Sequence, residues 1–241
     1  MARQLPKKTR VAIVGGGVIG CSIAYHLTKI GWHDIVLLER KQLTSGTTWH
    51  AAGLIGQLRD SQNMTKLAKY TAELYLNLEE ETGQATGYKV NGSLSTATHD
   101  GRMEDLIRRA DMAKVFGLQV DVLGPDGCKD LYPLLNVDDV VGGIFIPSDG
   151  QADPVGITQA LAKGARKGGA KFFENTRVVK VLLDDDRAVG VRTDKGDINA
   201  EFVVLACGMW TRDLAASIGV NVPLHACEHY YVLTEPNKAI T

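Results

Sequence analysis

The segment VAIVGGGVIG, which begins at Val11, restricts the fold more than any other part of the chain. Its apolar first half is typical of a buried strand. Its glycines open a helical pattern that ends at Gly31, after which IVLLE (Ile35–Glu39) indicates a second buried strand. A strand, a helix and a strand of these lengths form a βαβ unit, whose two strands pair in parallel. The sequence therefore predicts an α/β fold built on a parallel sheet.

The glycines of this unit follow the spacing G-x-G-x-x-G, at Gly15, Gly17 and Gly20. In a dinucleotide-binding turn the first glycine permits the tight turn, the second lets the backbone approach a pyrophosphate, and the third lets helix and strand pack closely. The phosphates would lie at the helix N-terminus, where N–H groups and the helix dipole favour anions. A glycine-rich turn in a βαβ protein of another kind remains the alternative.

An acidic residue ends the second predicted strand. Glu39 lies 24 positions after Gly15, close to the roughly 20 that separate a dinucleotide turn from the acid that binds a ribose hydroxyl. An acid at this position disfavours a 2′-phosphate and hence NADP. The βαβ unit therefore favours FAD or NAD, although Glu39 could also be an ordinary charge at a strand end.

The rest of the chain predicts α/β structure at both ends and a mixed insert at about residues 90–150. Further helices are predicted at Met64–Thr82, Met103–Gly117, Pro154 to about Lys167 with Asp153 as N-cap, and Thr211–Ile218. Further strands are predicted at Leu94–Thr98, Val178–Leu183, Val189–Thr193, Phe202–Ala206 (buried) and from Pro223 on, with a charged hairpin turn at Asp184–Arg187. The predicted apolar helix faces are Ile19, Ile23, Leu27 and Ile30, and then Leu67, Thr71, Leu74 and Leu78.

Charge and cysteine content exclude several classes of protein. A formal net charge of -1 gives no electrostatic basis for a nucleic-acid or membrane partner. The basic N-terminus has no apolar segment behind it, so we expect no secretory signal. None of the four cysteines forms a C-x-x-C pair, so we expect no metal site and interpret all four as small core residues in a reducing, cytoplasmic setting.

The residues after Glu39 decide between the two cofactors. RKQLTSGTTWHAAGL is a polar loop that becomes rich in small residues, and in it the chain resembles FAD-dependent amine dehydrogenases and oxidases with a D-amino-acid-oxidase-like fold, sarcosine and dimethylglycine dehydrogenases above all. The resemblance extends from about Val11 to Glu235. Its segments are VGGGVIG, DIVLLER, LTSGTTWHAAGL, YPLLNVDDVVGG, PSDGQADP and ACGMW.

The resemblance implies FAD as the cofactor, bonded covalently through its 8α-methyl carbon to His50. A neutral imidazole is a competent nucleophile near neutral pH, although a histidine that merely hydrogen-bonds its loop is the alternative. The implied cofactor-binding residues are Gly15, Gly17, Val18, Ile19 and Gly20 at the phosphates, Glu39 and Arg40 at the ribose, Gly46, Thr47, Thr48, His50, Ala51, Ala52, Gly53 and Leu54 around the flavin, Val178 against the adenine, and Trp210 nearby. Val178 and Trp210 could equally be core residues.

The implied activity is oxidation of an N-methylated glycine, sarcosine or dimethylglycine, by hydride transfer from the N-methyl carbon to flavin N5. The imine is then hydrolysed or its one-carbon unit passes to tetrahydrofolate. The electron acceptor is oxygen or an electron-transfer flavoprotein, and the setting in a eukaryote is the mitochondrial matrix. Strand alternation puts His229 and Tyr231 on one face, and both are expected near the substrate, with ordinary strand packing as the alternative.

The resemblance also implies a domain order. Residues 9–89 and 151–222 form two parts of a Rossmann-like FAD-binding domain, residues 90–150 begin an inserted mixed α+β substrate domain, and residues 223–241 begin its second part. We expect the chain to be an N-terminal fragment that lacks a returning flavin-binding segment and a folate-binding module. We therefore expect it to turn over poorly or not at all by itself.

Two other functions compete with this interpretation. YPLLNVDDVVGG and PLHACEHYYVL also resemble the non-catalytic regulatory subunit of pyruvate dehydrogenase phosphatase, and the retained Trp49–His50 pair favours the enzyme. An amine oxidase of the glycine-oxidase type, with non-covalent FAD and oxygen as acceptor, is the second. Covalent flavin, amine turnover and hydrogen peroxide production distinguish the three.

Overall fold

The structure is a computed structural model that describes residues 4–230, 232 and 235. The strands are β1 (Lys8–Val14), β2 (Ile35–Leu38), β3 (Leu54–Ile55), β4 (Lys89–Val90), β5 (Ser93–Ala97), β6 (Asp121–Leu123), β7 (Gly142–Ile146), β8 (Gly150–Gln151), β9 (Lys171–Phe173), β10 (Val178–Asp184), β11 (Arg187–Thr193) and β12 (Gly196–Leu205). The helices are α1 (Val18–Lys29), α2 (Gln62–Thr82), α3 (Asp100–Val115), α4 (Pro125–Leu131), α5 (Pro154–Lys167) and α6 (Thr211–Ala216). No helix formed by these residues is both long and apolar enough to cross a lipid bilayer.

Contacts divide the chain into two compact units. The first comprises the chain up to Gly53, Asn77–Gly87 and Asp153–Cys227, and the second comprises Leu54–Leu76, Tyr88–Ala152 and the chain from Glu228. The divisions near residues 88 and 153 lie close to predicted domain boundaries, whereas residues 54–76, predicted in the first part of the FAD-binding domain, lie in the second unit. The roles predicted for the domains stay predictions.

The first unit is built on a six-stranded sheet of order β10-β11-β12-β1-β2-β9. Strands β12, β1, β2 and β9 pair in parallel, and β10, β11 and β12 pair antiparallel. The parallel pairing of β1 with β2 confirms the predicted βαβ unit. Strand β9 was not predicted, because three residues after a Gly-Gly pair give too short a pattern.

The central strands of this sheet are buried on both faces. Ala12 and Val14 of β1 lie in an apolar cluster with Val36 and Leu38 of β2, and every residue of β2 is buried. Ile13 points to the opposite face, where α1 packs. Each fully buried aliphatic side chain contributes about 1.5–3 kcal/mol of transfer free energy, so these strands provide a rigid base for the loops at their carboxyl ends.

Helix α1 packs on α5 through a face other than the predicted one. Cys21, Ala24 and Tyr25 are buried, whereas Ile19 and Ile30 are 61% and 69% exposed. A Cβ at Gly164 of α5 would lie 2.7 Å from the Tyr25 ring. The predicted face of Ile19, Ile23, Leu27 and Ile30 is therefore wrong, because small residues on both helices let the backbones approach closely around one tyrosine.

The start of α5 matches its prediction. The Asp153 carboxylate accepts a hydrogen bond of 2.9 Å from the Val155 N–H, and Pro154 occupies the first turn. Such a cap satisfies an N–H that has no acceptor within the helix. The hairpin between β10 and β11 was also predicted, and its turn residues Asp185 and Asp186 both have positive φ, a conformation that Asp tolerates.

The second unit contains two small antiparallel sheets, β5-β7-β6 and β3-β8-β4. Leu106, Ala110 and Ala113 of α3 pack on Ile144 and Ile146 of β7. Helix α2 contributes residues to both units. Its predicted apolar face is only partly right, because Leu78 is fully buried whereas Leu67 is 57% exposed.

Two predictions near the C-terminal end of the described chain are wrong. Residues 221–230 form no strand, and His225 and His229 are exposed there. Strand β12 forms, but its Phe202–Leu205 end is only partly covered, because Phe202 packs one side on Trp32 and leaves the other to solvent. Cys227 is exposed, so it is not the core residue that the cysteine content suggested.

Candidate nucleotide-binding site

A cavity of about 580 Å³ opens at the carboxyl ends of β1, β2 and β12 in the first unit. This is the edge of a parallel sheet where ligands bind, and the volume is in the range of small-molecule pockets. The predicted residues that line it are Gly15, Gly17, Val18, Ile19, Glu39, Arg40, Gly46, Thr47, Thr48, Val178 and Trp210. The lining residues that were not predicted are Val14, Gly16, Leu38, Arg177, Val179, Leu205, Ala206, Cys207, Gly208, Thr211, Asp213, Leu214 and Ser217.

The glycine turn, formed by residues 15–20, leaves no room for side chains at its three motif glycines. Gly15 has φ +114°, and a Cβ there would lie 2.3 Å from the Ala206 carbonyl oxygen. A Cβ at Gly20 would lie 2.0 Å from the Gly15 oxygen, and Gly20 does not line the cavity. A Cβ at Gly17 would lie 2.9 Å from Thr48 Oγ1. Backbone contacts thus exclude a side chain at Gly15 and Gly20, and the Thr48 hydroxyl occupies the place of one at Gly17.

The Glu39 carboxylate holds the glycine turn from the end of β2. It accepts hydrogen bonds of 2.7 Å from the Gly16 N–H and 2.8 Å from the Lys41 N–H. Two backbone donors fix the carboxylate at the rim of the cavity while its remaining lone pairs can accept further hydrogen bonds. The acid is therefore placed where a ribose hydroxyl could reach it.

The small-residue loop, formed by residues 41–54, is hydrogen-bonded to the glycine turn and to the first turn of α1. Thr48 Oγ1 accepts a 3.1 Å hydrogen bond from the Val18 N–H, and the Thr44 N–H donates to the Gly16 carbonyl at 2.9 Å. Thr48 is buried and begins a single 3₁₀ turn that ends at His50. The next N–H groups of α1 have no acceptor within the helix, so the turn offers donors to an anion beside the Thr48 hydroxyl.

A cation–π stack of an arginine on an indole forms part of the cavity lining. The Arg40 guanidinium lies 4.0 Å from the centroid of the Trp210 ring. A Cβ at Gly46 would lie 3.3 Å from Cζ3 of the same indole. Residues from the end of β2, from the small-residue loop and from the segment after β12 thus meet at Trp210.

The start of β10 and the Cys207 thiol also contribute to the lining. A bulge at Val179 interrupts the pairing of β10 with β11, and Arg177, Val178 and Val179 all reach the cavity there. Burial raises the pKa of the Cys207 thiol to about 11, and its Sγ lies 3.3 Å from the Val14 carbonyl oxygen. Cys207 is therefore a neutral donor to the backbone at physiological pH rather than a nucleophile.

The structure does not bring His50 to the cavity lining. His50 is exposed and stacks on Trp49, with ring centroids 3.7 Å apart and an interplanar angle of 35°. The other predicted residues outside the lining are Gly20, Ala51, Ala52, Gly53, Leu54 and His229. Tyr231 lies outside the described residues. The cavity is therefore lined by the residues predicted for the phosphates (except Gly20), the ribose and the adenine. Of the residues predicted for the flavin ring, only Gly46, Thr47 and Thr48 line it.

Most of the unpredicted lining residues follow from the position of β12 beside β1. Parallel strands present their carboxyl ends at one edge, so the pairing of Val14 with Leu205 brings the segment after Leu205 to the glycine turn. No local pattern in the sequence predicts that pairing.

Among the described residues, no group of three or more His, Cys, Asp or Glu side chains is placed to hold a metal ion.

Comparison with known proteins extends these observations. A family described as "FAD dependent oxidoreductase" matches residues 10–241. The chain belongs to this family. The match confirms the family-level resemblance and agrees with the residues of the cavity, because an FAD dependent oxidoreductase must bind an adenine dinucleotide.

Three curated relatives match nearly all of the chain. It is 46% identical to 4-methylaminobutanoate oxidase (formaldehyde-forming) of Paenarthrobacter nicotinovorans over 95% of the chain and 28% of that protein. It is 41% identical to the mitochondrial pyruvate dehydrogenase phosphatase regulatory subunit of Mus musculus, over 96% of the chain and 27% of that protein. It is 43% identical to the mitochondrial sarcosine dehydrogenase of Homo sapiens, over 99% of the chain and 27% of that protein. The chain thus spans about a quarter of the length of these relatives.

A solved structure supports the fold. L-proline dehydrogenase from P. horikoshii aligns with a TM-score of 0.84 and 30% identity, over 90% of this chain and 57% of that chain. The predicted fold, an FAD-binding domain of the D-amino-acid-oxidase type with a further mixed domain, is confirmed.

Proposed function

We propose that the cavity binds the adenosine diphosphate half of FAD and that the chain is part of an enzyme that oxidises an N-methylated amino acid. The observation that supports this most is the cavity itself, in which the glycine turn, the Glu39 carboxylate and the Thr48 hydroxyl surround one edge of the sheet. The glycine turn at the N-terminus of α1 fits a diphosphate, and the Glu39 oxygens fit a ribose.

The similarity to relatives supports an amine as the substrate. 4-Methylaminobutanoate oxidase and sarcosine dehydrogenase are, by name, enzymes of N-methylated amino acids, and both are more than 40% identical to this chain. We infer a small N-methylated amino acid, with sarcosine, dimethylglycine and 4-methylaminobutanoate as the compounds to test. Glycine derivatives alone were expected from the sequence, and the first relative extends the proposal to a longer carbon chain.

The proposed reaction is a two-electron oxidation for which bound FAD supplies the acceptor. A hydride leaves the N-methyl carbon, and the nitrogen lone pair forms a C=N bond. Water then adds to the carbon, which yields the demethylated amine and formaldehyde unless tetrahydrofolate takes the one-carbon unit. Oxygen or an electron-transfer flavoprotein would take the electrons. The residues of this chain bind the cofactor and exclude water from it, and His229 and Tyr231 remain proposals for the substrate side.

We also propose a covalent bond between a ring nitrogen of His50 and the 8α carbon of the flavin. Formation of this bond would replace one C–H of the methyl group and the N–H of the imidazole. Dioxygen would take the two protons and two electrons released and become hydrogen peroxide. The 3₁₀ turn that carries His50 supports this proposal, because Thr48 ties it to the helix at which the phosphates would bind.

One experiment tests cofactor and attachment together. The full-length protein is denatured in acid and separated on a gel, and flavin fluorescence is measured on the protein band for the wild type and for His50→Ala. We expect fluorescence in the wild type and none in the variant, while both bind FAD before denaturation. A wild-type protein that binds no FAD would sink the proposal, whereas FAD lost on denaturation would sink only the covalent bond.

A second function is favoured by one relative. The similarity to the pyruvate dehydrogenase phosphatase regulatory subunit makes a non-catalytic role the alternative. Turnover of the three N-methylated amino acids, followed by formaldehyde release, separates the two functions, since the regulatory role predicts none. Hydrogen peroxide formation with non-covalent FAD would indicate an oxidase of the glycine-oxidase type instead.

A further inference from the structure

The Arg40–Trp210 stack spans the end of β1. Strands β2 and β12 flank β1 on opposite sides, and two strands that are not neighbours lie about 9–10 Å apart. Arg40 follows the end of β2 and Trp210 follows the end of β12, yet the guanidinium lies 4.0 Å from the indole centroid. Their side chains must therefore reach towards each other across the carboxyl end of β1, where the glycine turn begins.

The other charged side chains of the lining are those of Glu39, Asp213 and Arg177, of which only Arg177 is a cation. The Glu39 carboxylate is already bonded to two backbone N–H groups. Among the described residues neither Arg40 nor Arg177 forms an ion pair, but Arg177 lies at the β10 bulge and not across β1. Arg40 is thus the cation of the lining that an aromatic platform holds at the glycine turn.

We propose that Trp210 is a positioning residue whose indole holds the Arg40 guanidinium over the glycine turn, where it binds the diphosphate of the dinucleotide. This inference rests on the proposed FAD site and goes beyond it, since the sequence placed Arg40 at the ribose. A guanidinium stacked on an indole keeps its N–H edge free for oxygen acceptors. Its planar donors match phosphate oxygens in pairs. A Cβ at Gly46 would lie 3.3 Å from the same indole, so a side chain there would press on the stack.

A second Arg–Trp stack in the same unit provides a matched control. The Arg10 guanidinium also lies 4.0 Å from the centroid of an indole, that of Trp32. Neither Arg10 nor Trp32 lines the cavity. Substitution of Arg10 therefore removes a stack with the same guanidinium–indole distance, together with the ion pair of Arg10 with Glu201, without touching the proposed site.

The test compares two ligands that differ in the diphosphate. Binding of ADP and of adenosine to the full-length apoprotein is measured by calorimetry for the wild type, Arg40→Met, Trp210→Leu, Trp210→Phe, the Arg40→Met/Trp210→Leu double variant and Arg10→Met. Circular dichroism checks that each variant is folded. We expect Arg40→Met to weaken ADP binding about tenfold or more and adenosine binding less than about twofold. We expect Trp210→Leu to weaken ADP binding about threefold to tenfold, and Trp210→Phe to restore most of it.

The double variant decides whether Trp210 acts through Arg40. If it does, the double variant binds ADP no more weakly than Arg40→Met alone, and Arg10→Met binds like the wild type. Losses of ADP affinity that multiply fully in the double variant would overturn the inference. An equal weakening of adenosine and ADP binding would also overturn it, in favour of adenine stacking on the arginine. If Trp210→Leu does not fold, equal losses of ADP and adenosine in Arg40→Met still overturn it. A wild-type protein that binds neither FAD nor ADP overturns this inference and the proposed function together, whereas normal binding in every variant overturns this inference alone.

Discussion

Gly20 lies where α1 passes over the carbonyl of Gly15, and a methyl group there would lie 2.0 Å from that backbone oxygen. We expect Gly20→Ala to lower the free energy of unfolding by about 2–4 kcal/mol, because a backbone oxygen cannot move aside as a side chain can. Gly101→Ala is the matched control, since a Cβ there makes only ordinary contact 3.5 Å from His99. Alanine in that exposed helical position should raise stability by up to about 1 kcal/mol. Urea unfolding measures both, and equal midpoints would contradict the packing argument.

The different exposure of the four cysteines gives a second prediction at this scale. Cys227 is exposed, Cys21 and Cys128 are buried, and Cys207 has a pKa raised by burial to about 11. Because the thiolate is the reactive form, iodoacetamide at pH 8 should label Cys227 first and Cys207 far more slowly. Labelling of Cys207 should rise about tenfold from pH 8 to pH 9 and should fall when FAD is added. Mass spectrometry of the native protein follows each site, and equal rates at Cys207 and Cys227 would show the cavity to be open to reagent.

Several of the predicted residues that line the cavity are fixed by local rules. Gly15 and Gly17 belong to a turn whose geometry requires glycine, and Glu39 ends a strand at a known spacing from it. Trp210 could be placed near the cofactor only by resemblance. Its stack with Arg40 depends on the pairing of strands that are about 190 residues apart, which no pattern in the sequence encodes.

Among the elements, α1 shows where periodicity fails. The buried face of α1 is formed by Cys21, Ala24 and Tyr25, whereas Ile19 and Ile30 of the predicted face remain exposed. The partner helix decides the outcome, because Gly164 of α5 and Gly168, which caps its C-terminus, lie at close range to Tyr25 and Thr28. Strands β1, β2, β10 and β11 were predictable because apolar runs and a turn of aspartates mark them. The two-residue strands β3, β4 and β8 were not, since they exist only through their partners.

The cap of α5 gives the prediction for this scale. Asp153→Ala should lower the free energy of unfolding by about 1 kcal/mol, because the Val155 N–H loses its acceptor. Asp153→Asn keeps a side-chain oxygen and should stay within a few tenths of the wild type. For a domain of this size the alanine variant should lose about 2–4 °C in Tm, measured by calorimetry. A loss as large in Asp153→Asn would mean that charge and not the cap matters.

At the scale of the whole molecule, three strand ends separated in sequence converge on one cavity. The turn after β1 provides N–H groups, the loop after β2 provides Glu39 and Arg40, and the segment after β12 provides Trp210. The sequence predicted the first two, which lie in one βαβ unit. It did not predict the sheet order that adds the third, because the position of β12 beside β1 is set by burial across the whole sheet rather than by residues near either strand.

Burial within the first unit also predicts how the whole molecule responds to alkali. Burial raises the pKa of Cys21 from 9.0 to about 12. Between these values the folded chain holds a proton that the unfolded chain releases, so the free energy of unfolding should be constant below pH 9 and fall as pH rises above it. One such group lowers stability by at most about 1.4 kcal/mol per pH unit, and Cys207, with a pKa of about 11, acts in the same direction. In urea unfolding, the free energy of unfolding of Cys21→Ala should therefore fall less steeply between pH 9 and 10.5 than that of the wild type. At pH 7 the variant should be less stable than the wild type, because the substitution creates a cavity. Parallel curves for the two proteins above pH 9 would show that Cys21 does not control the alkaline response.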